Sequence, residues 1–187
     1  VEGVPNEMLE LIQPKIMEYL QALGADNVVQ KHRFFRDLNA VAAKGGIVFA
    51  GDSITEGYPI LELMPDVKNI YNRGIAGLTS SQLLDGLDAH ILGLEPSKVF
   101  LLIGTNDLGI NIGADEVFSN IQHICDKTIA CMPDTELYVI SIYPVNEDMQ
   151  KSVPTAGLVG RDNKITQHLN EKIKKYTATK DTVTYID

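Results

Sequence analysis

IVFAGDSITEGYP, residues 47–59, changes character at one point, where the apolar residues Ile47 to Ala50 run straight into Gly51, Asp52 and Ser53. A short apolar run stopped by glycine and a carboxylate reads as a buried strand ending in a turn, and this turn presents a small hydroxyl at the strand's carboxyl end. Outward from it the pattern alternates. Strands are expected at 46–50, 68–71, 98–103, 136–142 and 182–186, with helices near 59–65 and at 79–92, 114–132 and 158–177. Strands separated by helices pair in parallel through right-handed crossovers that place helices on both faces. The expected fold is therefore an α/β protein, a three-layer α/β/α sandwich on a five-stranded parallel sheet of flavodoxin-like order. Ligands of such sheets bind beyond the carboxyl ends of the strands, near the switch point.

Ahead of the first strand, Leu9, Ile12, Ile16, Leu20 and Leu23, then Val28, Phe35 and Leu38, recur at helical spacing. They suggest an N-terminal helical extension over residues 1–44, with Gly24 and Asp26 to Asn27 as punctuation between two helices. No repeat, low-complexity segment or linker divides the 187 residues, so one domain is expected. Residues 144–157, PVNEDMQKSVPTAG, form the longest irregular stretch and are expected to act as a lid.

The composition, 44% hydrophobic and 22% charged, is that of a soluble globular chain. A net charge of −9 repels nucleic acid and anionic membrane surfaces, and this argues for small soluble substrates over interfacial lipids. No apolar run approaches the roughly 20 residues that span a bilayer. VEGVPNEMLE, at the start, lacks the basic and apolar regions of a signal peptide, although a beginning at Val1 leaves an upstream export signal open. Cys125 and Cys131, six apart in one helical pattern, point about 240° apart around the helix and are expected to be free thiols. Free thiols suit a reducing, cytoplasmic compartment. The sequence leaves room for a homodimer.

The strand ends carry the chemistry. GDS follows the first strand, NRGIAG the second and GTND the third, all on one edge of the sheet. Attack on an ester needs a nucleophile, a base for its proton, and donors aimed at the oxyanion that develops. Ser53 offers the hydroxyl and its own N–H, Gly77 a backbone N–H with no side chain in the way, and Asn106 a side-chain amide. Each piece alone has an ordinary structural use: serine after glycine and NRG belong in turns, and ND before a helix suits an N-cap. Their joint placement favours catalysis. Asp52 and Asp107 are expected to brace their loops through backbone N–H groups. Tyr58, Ile60, Leu78, Leu108 and Ile110 follow the motifs and suit either an apolar acyl pocket or the core.

GDSITEG around Ser53, NRGIAG ending at Gly77 and GTND containing Asn106 resemble the first three sequence blocks of the GDSL or SGNH hydrolases, in order and spacing. The run from Ile47 through YPVNE at 143–147 resembles the branch related to platelet-activating-factor acetylhydrolase. The resemblance implies the SGNH hydrolase fold, Ser53 as nucleophile, and Ser53, Gly77 and Asn106 as the oxyanion hole. It implies a serine esterase cleaving acetyl or short acyl esters through an acyl-enzyme, with a small ester as its partner. GDSIT lacks the glycine two places after serine that marks the nucleophile elbow of α/β-hydrolases.

The family takes its catalytic Asp and His from a D-x-x-H block after the last strand. Residues 1–187 contain no such block and end in VTYID, so the pair is expected beyond residue 187. DGLDAH, at 85–90, imitates it, but Asp88 and His90 are only two apart. His32, His90, His123 and His168 fall in helical patterns and are expected to be structural. No cofactor and no metal are expected. His123 and Cys125 face different sides of a helix, and no H-E-x-x-H or paired C-x-x-C occurs. A flavodoxin-like phosphate or cofactor site is the first rival, opposed by Asp52 and Glu56 at the turn and by the lack of Walker or dinucleotide glycine motifs. The second rival is an inactive SGNH-fold protein that binds a glycan or a protein.

Overall fold

The computed structural model describes residues 24, 26–146, 148 and 161–187. The earlier of the two lead-in helices, most of the lid and the first residues of the expected 158–177 helix lie outside the described residues.

Strand β1 (Ile47–Gly51) is flanked by β2 (Ile70–Gly74) and β3 (Lys98–Leu102), followed by β4 (Glu136–Ile140) and β5 (Val183–Ile186). The order β2-β1-β3-β4-β5 is flavodoxin-like, and all four pairings are parallel. Alternate side chains point to opposite faces. On one face Val48, Ala50, Val99, Leu101, Leu137 and Val139 are buried. They share a core with Ile121 and Ile124 of α7 (Ala114–Cys131) and Leu169 and Ile173 of α8 (Asn163–Thr177), spaced so that each helix turns one apolar stripe inward. On the other face Phe49, Phe100 and Tyr138 stack across the strands, with ring centroids 4.7 and 4.8 Å apart. That side carries the short helices α2 (Ser53–Glu56) and α3 (Ile60–Leu63), and between them Tyr58 packs 5.8 Å from the Phe49 ring. Strands β1 and β3 leave no room between their ends, since a Cβ on Gly51 would lie 2.2 Å from the Leu102 carbonyl oxygen.

Helix α1, over 26–41, packs Val28 and Phe35 against this core. The structure corrects the expected break at Gly24 and Asp26 to Asn27: positions 24, 26 and 27 are helical, and the Asp26 carboxylate accepts from Gln30 Nε2 one turn on. Leu38 is exposed, while its neighbour Asn39 is buried and bonded to the Ala89 carbonyl and to Arg73.

Two further boundaries move. The second strand runs to Gly74, not 71, so NRG is strand and not turn; Asn69, at φ 55°, makes the preceding turn. The expected helix 79–92 breaks at Gly86 into α4 (Ser80–Asp85) and α5 (Leu87–His90), then a 3-10 turn Leu92–Leu94. The His32 ring sits against Gly86, where a Cβ would lie 2.3 Å from it. Cys125 is buried and Cys131 exposed, both as free thiols, and burial pushes the Cys125 thiol up to about 12. No helix among the described residues is long and apolar enough to cross a membrane.

The His32 and His90 rings make the fold acid-sensitive. His90 Nδ1–H donates to the Arg73 carbonyl at 2.7 Å, so its Nε2 accepts, and His32 Nε2–H donates to it at 3.0 Å. Burial lowers both histidines, His90 to about 3. A histidine held neutral in the folded state contributes stability above its unfolded value near 6.5 that is lost as pH falls toward 3. The slope is at most about 1.4 kcal/mol per pH unit for His90, and less for the half-buried His32. Asp52, raised by burial to about 6, acts oppositely by taking up a proton in the folded state between its ordinary value and 6. Asp107, also raised by burial, acts with Asp52. Set against these two carboxylates, the two histidines, which take up protons from the higher value near 6.5 in the unfolded chain, are expected to give a thermal midpoint lower at pH 5 than at pH 7. The drop should shrink in His32→Gln, which leaves a donor beside His90 and titrates nothing; an equal drop in both proteins would contradict this assignment.

Candidate active site

The site forms where β2, β1 and β3 end side by side. Ser53 is the first residue of α2, exposed at the tip of β1, and Asp52 before it caps the helix, accepting from the Ile54 N–H at 2.9 Å. Asp52 is fully buried, and its Oδ2 has no hydrogen-bond partner among the described residues. Burial is the main cause that raises its carboxyl to about 6; the Ile54 N–H and the Arg161 charge pull it back.

Beyond β2 the loop of Ile75 to Leu78 is pinned at several points. Ile75 N–H donates to Gly51 O at 3.0 Å, Ala76 N–H to Glu56 Oε2 at 2.8 Å, and Leu78 N–H to Ile75 O at 3.1 Å. Glu56 in turn pairs with Lys31 of α1 at 2.9 Å, so helix α1 reaches the loop through one carboxylate. Gly77 has φ +78°, the left-handed region that favours glycine. Between the bonded amides of Ala76 and Leu78, its N–H has no partner among the described residues.

Beyond β3, Gly104 at φ +122° turns the chain into α6 (Thr105–Gly109). The structure places Asn106 and Asp107 inside the first turn of α6, where the sequence suggested a cap; the positive φ of Gly104 takes up the turn instead. Asn106 Nδ2 donates to Leu78 O at 2.9 Å, bridging the second and third motifs. Its Oδ1 accepts from an Arg161 Nη at 3.3 Å. Asp107 is buried and accepts from Ser80 N–H at 3.0 Å and Ser80 Oγ–H at 2.6 Å; burial raises its carboxyl and the Ser80 bonds hold it down. Asn120 of α7 donates to the same Ser80 oxygen at 3.0 Å.

Of the five residues considered for an acyl pocket, Ile60, Leu78 and Leu108 are core, and only Tyr58 and Ile110 are exposed. Both ring nitrogens of His90 are engaged, and His123 and His168 are exposed on α7 and α8. No group of three potential metal ligands occurs among the described residues. Sequence reasoning missed Arg161, the Glu56 bond to the Ala76 N–H, and Asn163 and Asn170. These two asparagines each bracket both backbone groups of one residue after β4, Val145 and Ile142 respectively. No motif marks them, since their partners are main-chain atoms distant in sequence.

The model of the GDSL-like lipase/acylhydrolase family matches residues 49–187. A structure from Streptococcus pneumonia, provisionally described as a platelet activating factor, superposes with TM-score 0.83 at 32% identity, covering 92% of this chain and 79% of that one. A GDSL-like lipase from Bacteroides thetaiotaomicron gives TM-score 0.65 at 24% identity, covering 82% and 76%. A catalytic mutant of an acetylxylan esterase from Geobacillus stearothermophilus gives TM-score 0.59 at 15% identity, covering 79% and 77%. A search of curated proteins finds no match.

Proposed function

The chain belongs to the GDSL-like lipase/acylhydrolase family, and on that premise we propose that it is a serine esterase that cleaves acetyl or short acyl esters through an acyl-enzyme. One observation carries the reading: β1 lies between β2 and β3, so the exposed Ser53 has Gly77 on one side and Asn106 on the other, joined by the bond from Asn106 to Leu78. Ser53 Oγ attacks the ester carbonyl carbon and gives up its proton to a base, and the carbonyl oxygen becomes the oxyanion. The N–H groups of Ser53 and Gly77 and the second hydrogen of Asn106 Nδ2 receive that charge. The bond to the alcohol breaks as the leaving oxygen is protonated, and water then cleaves the acyl-enzyme to release the acid. Asp52 and Asp107 hold the two turns through backbone N–H groups and Ser80. In the family the base comes from a D-x-x-H block. Residues 1–187 contain none, so the reading assigns no base within them.

A net charge of −9 disfavours binding to anionic lipid and supports small soluble esters. A series of p-nitrophenyl esters from acetate to palmitate tests this on the natural full-length protein. Saturable hydrolysis is expected to be fastest at acetate or butyrate. A rate that climbs with chain length on dispersed lipid would overturn the substrate class, and no hydrolysis of any ester would favour the inactive binding protein.

A further inference from the structure

The esterase reading gives Arg161 no role, yet its guanidinium spans the two residues around which α6 begins. Nε donates to Thr105 O at 3.0 Å and one Nη to Asn106 Oδ1 at 3.3 Å. Gly109, one turn further along α6, lies under the same group, where a Cβ would come to 3.3 Å from Arg161 Nε. The charge also reaches the carboxylate of Asp52, the residue before Ser53.

We propose that Arg161 positions and polarises the Asn106 amide for the oxyanion, an inference that rests on the esterase reading. The terminal torsion of asparagine is soft, and a carboxamide at the end of a site can turn its oxygen where its nitrogen is needed. Two contacts exclude that here. Only with Oδ1 toward the guanidinium and Nδ2 toward the Leu78 carbonyl are both bonds made, and this leaves the second Nδ2 hydrogen for the substrate. A cation bonded to the amide oxygen also draws charge from the nitrogen and strengthens its N–H as a donor. The benefit grows as negative charge develops on the carbonyl oxygen, so it appears in kcat more than in KM.

The test is a double-mutant cycle on the natural full-length protein with p-nitrophenyl acetate as the probe. Arg161→Met should lower kcat by about 10-fold and leave KM within about twofold, because an interaction made in the transition state is lost. In an Asn106→Ala background the same change should alter kcat by less than about twofold, since the partner through which it acts is gone. Arg161→Lys keeps stem and charge without the two-pronged geometry and should fall in between. It carries the same cycle if the Met variant does not fold. An equal loss with and without the Asn106 side chain would overturn the inference, as would wild-type kcat in the Met variant. A wild-type protein that hydrolyses no ester would instead overturn the esterase reading itself, before any variant is compared.

Discussion

If Ser53 is the nucleophile proposed above, replacing it by alanine should lower kcat/KM on a short ester by at least about 10⁴-fold, because the residual catalysis of a serine hydrolase without its nucleophile comes only from binding and the oxyanion donors. The fold should not register the change. Ser53 is exposed, whereas the cap of α2 is the carboxylate of Asp52, which stays in place. The thermal midpoint should therefore move little, and this separates a chemical loss from a structural one. Steady-state kinetics and a thermal melt on the same preparation check both halves. Activity within about tenfold of wild type would remove Ser53 from the nucleophile's role, since no background rate approaches that level.

Asn106→Ala is the second large effect, with kcat expected to fall by about 10²–10³-fold, the usual loss for one oxyanion donor. KM should change far less, because the amide acts on charge that is absent in the bound ester. This substitution does touch the fold: it strips the Leu78 carbonyl and Arg161 of a partner, at roughly 1 kcal/mol for each bond lost. Asn106→Asp separates the two contributions. It keeps an oxygen for Arg161, removes the donor and adds a negative charge where the oxyanion forms, so its kcat should be at least as low as that of the alanine variant. A matching rise in KM with kcat unchanged would mean that Asn106 binds substrate without stabilising the transition state.

The sequence was most legible where a signal is local. The apolar runs of β1, β3 and β4 and the helical stripe of α7 lie within a residue or two of their expected bounds, because period and burial coincide there. The strand β2 was misplaced since Asn72 and Arg73 look like turn residues in isolation. Within the fold Asn72 bonds the Thr55 carbonyl and the Gly74 N–H, and Arg73 bonds the buried Asn39, so polar residues become acceptable inside a strand. The break at Gly86 depends on His32, a ring from another helix that no local pattern reveals. At the site the three motifs could be found because their backbone needs are written in glycines and short polar residues. Arg161 carries no such mark, and the smallness of Gly109 is its only trace in the sequence.

Ser53, as the proposed nucleophile, should be activated. The most direct test is exposure of the natural full-length protein to a serine-reactive fluorophosphonate, followed by peptide mass spectrometry to locate the adduct. One adduct per chain is expected, on Ser53, and none in Ser53→Ala. An unmodified Ser53, or an adduct on another serine that survives the substitution, would contradict that role.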